Sequence, residues 1–107
     1  MCTMIAKQVE IDGSGKGAGG WFPVRQVNVS YDHPYEVRLE HAVNIDFVNE
    51  AEGPGARVAV ELTLESAREL VKTIHEVLAQ ADAGGYADEN PARAVDRGGQ
   101  ILRRADL

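Results

Sequence analysis

Five side chains in the first half of the chain could do chemistry together: Cys2, Asp32, His33, Glu40 and His41. A thiolate and two imidazoles form a donor set suited to zinc, copper or nickel, and a carboxylate can complete it. Removal of the initiator methionine, which a small second residue permits, would leave Cys2 with a free amine as well as its thiolate. The spacing itself is unspecific. Seven residues separate the histidines, which matches no standard zinc motif. His41 also falls within an apolar alternation, where a hydrogen-bonded core histidine is the plainer reading. Cys2 with either histidine is conceivable as a nucleophile and base. No orienting partner or oxyanion site accompanies the pair, so no reaction follows from it.

Whether the two histidines can meet depends on strand register, because residues opposed across a hairpin share a face. A tight turn at 33–35 would pair Tyr31 with Val37 and Val27 with His41. The histidines would then lie about 20 Å apart along the ribbon, at about 3.4 Å per residue. A seven-residue loop over 34–40 would instead set His33 opposite His41, with their Cβ atoms about 5 Å apart. The alternation through Val37 and Leu39 favours the turn, whereas Pro34 and the charges of Glu36, Arg38 and Glu40 favour the loop. Both registers stand open at this level. In the loop form Asp32 or Glu40 would serve as a further ligand, or as the hydrogen-bond partner of an imidazole N–H.

A second candidate is the aromatic pair Trp21-Phe22, placed directly after Gly13-Ser14-Gly15-Lys16-Gly17-Ala18-Gly19-Gly20. Aromatic side chains anchor binding sites and interfaces, and they fill cores equally well. Gly15, Gly17 and Gly20 satisfy the dinucleotide spacing G-x-G-x-x-G. That motif acts only where the loop opens a helix, and here Trp21-Phe22-Pro23-Val24 leads into a strand. The triphosphate loop fails as well, since Lys16 is followed by Gly17 in place of Ser or Thr. The glycine stretch therefore reads as a flexible connection.

The elements that position these residues follow from periodicity. Ile5, Val9 and Ile11 alternate with polar neighbours, as do Val27, Val29 and Tyr31, then Val37 through Phe47, then Val58, Val60 and Leu62. Period two marks half-buried strands. Glu50-Ala51-Glu52-Gly53-Pro54-Gly55 is a turn between the last two. From Leu64 to Ala81 apolar residues recur at three- and four-residue spacing, one continuous helical stripe. Thr63 is its expected N-cap, and Gly84-Gly85 its stop. Short connections without a helical crossover make the sheet antiparallel. The expected fold is α+β, order ββββα, with helix 63–82 covering one face of a four-stranded antiparallel sheet. Residues 1–83 form this single domain, and 84–107 read as a mobile or loosely docked tail. His75, beside the helical stripe, reads as a surface or boundary residue.

Composition narrows the function. The chain has 107 residues, 44% apolar and 26% charged, within the globular range. Its net charge is −6, carried by residues 1–83 with 13 acidic and 7 basic side chains. An acidic body argues against nucleic acid and against anionic membranes as partners. No stretch approaches the length of a membrane span. The opening Met1-Cys2-Thr3-Met4-Ile5-Ala6 lacks the basic start and apolar run of a signal peptide, and one cysteine cannot form an internal disulfide. A cytoplasmic address is the expectation. The small body also suggests a homodimer, with the outer sheet face (Ala6, Ala42, Val48 and Ala59 among amides and charges) as a modest interface.

The blocks Met1-Cys2-Thr3-Met4-Ile5-Ala6, Gly20-Trp21-Phe22-Pro23-Val24, Tyr31-Asp32-His33-Pro34, Glu40-His41-Ala42, Asp46-Phe47-Val48-Asn49 and Ala56-Arg57-Val58-Ala59-Val60-Glu61 carry a resemblance. Together they resemble a family of roughly hundred-residue bacterial proteins of unknown function, over residues 1–83. The resemblance implies one independent domain and no activity, cofactor or partner. Two functional readings remain. One is a small metal- or small-ligand-binding protein using Cys2, His33 and His41. The other is a homodimeric structural or interaction domain whose histidines pack.

Overall fold

The computed structural model describes residues 5–85. Four strands, β1 (Ile5–Gly17), β2 (Gly20–Asp32), β3 (Ala42–Val48) and β4 (Arg57–Leu62), precede one helix, α1 (Leu64–Ala83). The strands form a single sheet in the order β1-β2-β3-β4, every neighbouring pair antiparallel. The ββββα order and α+β class match the expectation from periodicity. The chain divides into two units, Met1–Arg68 with the sheet and Glu69–Leu107 with the larger part of α1. The expected tail falls almost wholly on residues 86–107, outside the described residues.

One face of the sheet is apolar row by row: Val27 opposes Phe47, which opposes Val58, and Val29 opposes Ile45, which opposes Val60. The other face carries rows such as Ser30, Asn44 and Glu61. This alternation is what the period-two segments require.

The glycine stretch is not a loop. β1 runs through it to Gly17, and only Ala18 and Gly19 turn the chain into β2. Between Glu10 and Gly13 the register shifts, so that Ile11 and Asp12 together face Arg25. Such a bulge bends the ribbon. The buried positions of β2 accordingly run Val27, Val24, Phe22, breaking the two-residue alternation once, across from the bulge. Phe22 and Val24 then pack with Ala56, Ile11, Phe47 and Val58 into the core cluster. Glycine is needed for this close approach: a Cβ on Gly17 would stand 2.9 Å from the Gly55 carbonyl oxygen and 3.1 Å from that of Arg57.

Asn49 holds the same end of the sheet together. It is buried, its Oδ1 accepts from the Ala51 amide at 3.2 Å, and its Nδ2 donates to the Pro23 carbonyl at 2.9 Å. It thereby caps the 3-10 turn Glu50–Glu52 and ties that turn to β2.

The helix begins as its capping signals predict. The Thr63 hydroxyl accepts from the Ser66 amide at 3.0 Å, and Gly85, at φ +81°, ends the last turn. No residue of α1 is buried, and Leu64, Leu70, Val71, Ile74, Val77 and Leu78 are 42–62% exposed. Within the sheet unit the buried core consists of Phe22, Val24, Val27, Ala42 and Ala56.

Candidate histidine site

β2 and β3 pair as far as Asp32 and Ala42, which leaves His33 and His41 as the next opposed positions. Residues 33–41 form a loop without strand pairing. The loop register is therefore the one adopted, and the tight turn with Tyr31 opposite Val37 is not: Tyr31 opposes Val43. The alternation through Val37 and Leu39, which favoured the turn, belongs to the loop.

Glu61 explains this outcome. From β4 its carboxylate accepts the backbone N–H groups of Glu36 at 2.8 Å, Val37 at 3.0 Å and Tyr35. Three amides that a longer hairpin would have placed in a ladder are satisfied by one side chain. The N–H of Val37, with those of Glu36 and Tyr35, holds the Glu61 carboxyl below its ordinary value. Sequence reasoning missed this residue. An acid at an outward position of a strand is commonplace, and nothing local links it to a loop 24 residues earlier. Asn49 was more legible, since asparagine ahead of a turn is a frequent cap.

Within the loop the two imidazoles lie face to face, with ring centroids 4.8 Å apart and planes inclined at 29°. Tyr31 extends the stack, its ring centroid 5.4 Å from that of His41. His33 Nδ1 lies 2.8 Å from the Glu40 carbonyl oxygen. A carbonyl only accepts, so Nδ1 carries the proton and Nε2 of the neutral ring carries the lone pair.

Glu40 serves His33 through its main-chain oxygen. The Asp32 Oδ1 accepts the His33 amide at 2.7 Å. Among the described residues no group of three or more His, Cys, Asp or Glu side chains is placed to hold a metal ion. Cys2 lies outside the described residues.

Trp21 and Phe22 are at the other end of β2 from the histidines. Phe22 is buried in the core. Trp21 is exposed and lines, with Glu52 and Gly55, a cleft of about 200 Å³, below the usual size of a small-molecule site. His75 is exposed on α1, as expected. No helix among the described residues is long and apolar enough to cross a membrane.

A family model described as Family of unknown function (DUF6295) matches residues 1–87. The chain belongs to that family. The matched region takes in the whole sheet, the histidine loop and α1. No curated protein and no solved structure matches the chain.

Proposed function

We propose that this DUF6295 protein binds a transition metal ion, of the zinc, copper or nickel class, through His33 and His41 with Cys2 as a third donor. The observation that carries the reading is the His33 Nδ1 contact to the Glu40 carbonyl at 2.8 Å. Metal-ligating histidines characteristically donate one ring N–H to a carbonyl or carboxylate, which fixes the tautomer and frees the other nitrogen. The ring spacing supports it. With roughly 2.0–2.1 Å nitrogen–metal bonds, two imidazoles on one tetrahedral ion keep their centroids about 5 Å apart. The rings now present faces to one another, so joint ligation requires the His41 ring to turn. The chain length supports Cys2. It is three residues from Ile5, whose register partner is Tyr31, a reach of at most about 10 Å.

The test is the metal content of protein purified without a histidine tag, followed by titration with zinc, copper and nickel. Stoichiometric metal that is lost from a His33→Ala, His41→Ala double variant supports the reading. Metal-free protein that takes up no ion overturns it, leaving the histidines as a packing pair.

A further inference from the structure

We propose that Glu61 selects which nitrogen of His33 is free to take a metal, acting from β4 through a hydrogen-bonded relay in the loop. The inference deepens the metal reading and rests on it for its consequence. Among the described residues the Glu61 carboxylate bonds to main-chain amides of the loop and to neither imidazole. Its role is therefore that of a positioning residue. Every group of the relay lies within the unit Met1–Arg68.

Among the described residues, the polar contact that sets the His33 ring is the one from Nδ1 to the Glu40 carbonyl, at 2.8 Å. Asp32 holds the His33 amide and not the ring. The stack on His41 orients the plane of the ring without distinguishing its two nitrogens. Whether Nε2 keeps its lone pair thus depends on where the Glu40 carbonyl stands. That carbonyl lies at the end of a short chain of contacts. Glu61 Oε1 accepts from Glu36 at 2.8 Å and from Val37 at 3.0 Å, and Oε2 accepts from Tyr35. Val37 in turn offers its carbonyl to the Leu39 N–H at 2.9 Å, a closure of the γ-turn kind. This bend turns the chain at Arg38, and Glu40 follows directly after it.

Ordering residues 34–40 costs conformational entropy, and strand pairing offsets none of it there. Glu61 supplies the acceptor for three consecutive amides, and its charge strengthens each bond. Without that acceptor the bend at Arg38 loses its anchor and the Glu40 carbonyl its fixed place. The His33 proton then exchanges through solvent between Nδ1 and Nε2. A ring protonated at Nε2 has no lone pair to offer there, so the apparent affinity falls with the competent fraction. One competing account is specific. Glu40 stands two residues from Ala42, whose pairing with Asp32 ends the β2–β3 ladder. If that strand end alone held the carbonyl, Glu61 would order the loop and leave the ring unchanged.

The experiment reads the ring first and the metal second, on the full chain. At about pH 8.5, well above the ordinary imidazole range, two-bond nitrogen–proton correlation spectra of metal-free protein are expected to show His33 protonated at Nδ1. Glu61→Ala is expected to give a mixture of both tautomers. Glu61→Met keeps the length of the stem without an acceptor, and it decides the question where the alanine variant does not fold. Glu61→Gln, whose Oε1 can still accept from Glu36 and Val37, is expected to restore most of the Nδ1–H form. Zinc affinity by chelator competition should follow the same order, with Glu61→Ala about 10-fold weaker than the unmodified protein. A His33 ring that stays protonated at Nδ1 in folded Glu61→Ala or Glu61→Met overturns the proposal. Mixed tautomers with unchanged zinc affinity overturn it as well. If no form of the protein takes up zinc, the metal reading fails, and the spectra still decide whether Glu61 sets the ring.

Discussion

Glu61 on β4 accepts the Val37 N–H at 3.0 Å, from a residue 24 positions earlier in the chain. Together with the amides of Glu36 and Tyr35, this contact makes residues 34–40 a loop and so places His33 beside His41. One exposed carboxylate thus sets the geometry of the candidate site from the far side of β3.

Replacing Glu61 should loosen the loop without unfolding the sheet. In Glu61→Ala the amides of Tyr35, Glu36 and Val37 lose their acceptor and should exchange with solvent at least about 10-fold faster, a change on the scale of a lost net hydrogen bond. Residues of β2 and β3 paired near Val27 and Phe47 should keep their protection. Amide hydrogen exchange reads both. Unchanged exchange at 35–37 would show that the loop is held by something else.

The same contact predicts a pH dependence. The Glu61 carboxyl is held below its ordinary value by the three N–H groups. Its contribution to loop order is therefore complete above the ordinary carboxylate range and is lost as the pH falls through the lowered value. Acidification should release the 35–37 amides in an NMR titration at a pH below the ordinary range of exposed carboxylates. A loop that loosens before those carboxylates titrate would contradict the assignment.

Gly17→Ala should destabilise the protein by about 1–3 kcal/mol, the cost of overpacking, because the new methyl would meet two main-chain oxygens that cannot step aside. Gly13→Ala is the control, since a Cβ there meets nothing within 4 Å. Denaturant midpoints of the two variants should separate clearly.

Asn49→Ala removes the donor to Pro23 and the acceptor of the Ala51 amide at a buried position. A cost of about 1–3 kcal/mol follows from leaving those groups unpaired. Thermal or chemical melts measure it. Asn49→Asp should be nearly as costly, because its carboxylate cannot donate to the Pro23 carbonyl.

Single His33→Ala and His41→Ala substitutions should each lower metal affinity by about 10-fold or more, at or beyond the effect of removing a residue that supports a ligand. His75→Ala, on the exposed helix, should leave it unchanged. Competition titration with a chromogenic chelator distinguishes the three. Equal affinities in all three variants would remove the imidazoles from the site.

The sequence by itself determined the elements whose signals are local. Period-two alternation located the four strands, and helical spacing with a threonine cap located α1, because burial on one face and main-chain capping act over a few residues. It also narrowed the histidine pair to two registers. Choosing between them required Glu61, a long-range acceptor whose residue type carries no hint of its role. The tertiary structure likewise decided the course of the glycine stretch. A bulge at Ile11-Asp12 bends a long hairpin onto the start of β4, and Gly15 leaves room for the Val24, Phe22 and Val58 side chains and Gly17 for backbone, where sequence alone suggested slack. Amphipathic spacing states that a face must be buried and is silent on which surface buries it, because the hydrophobic effect has no direction of its own.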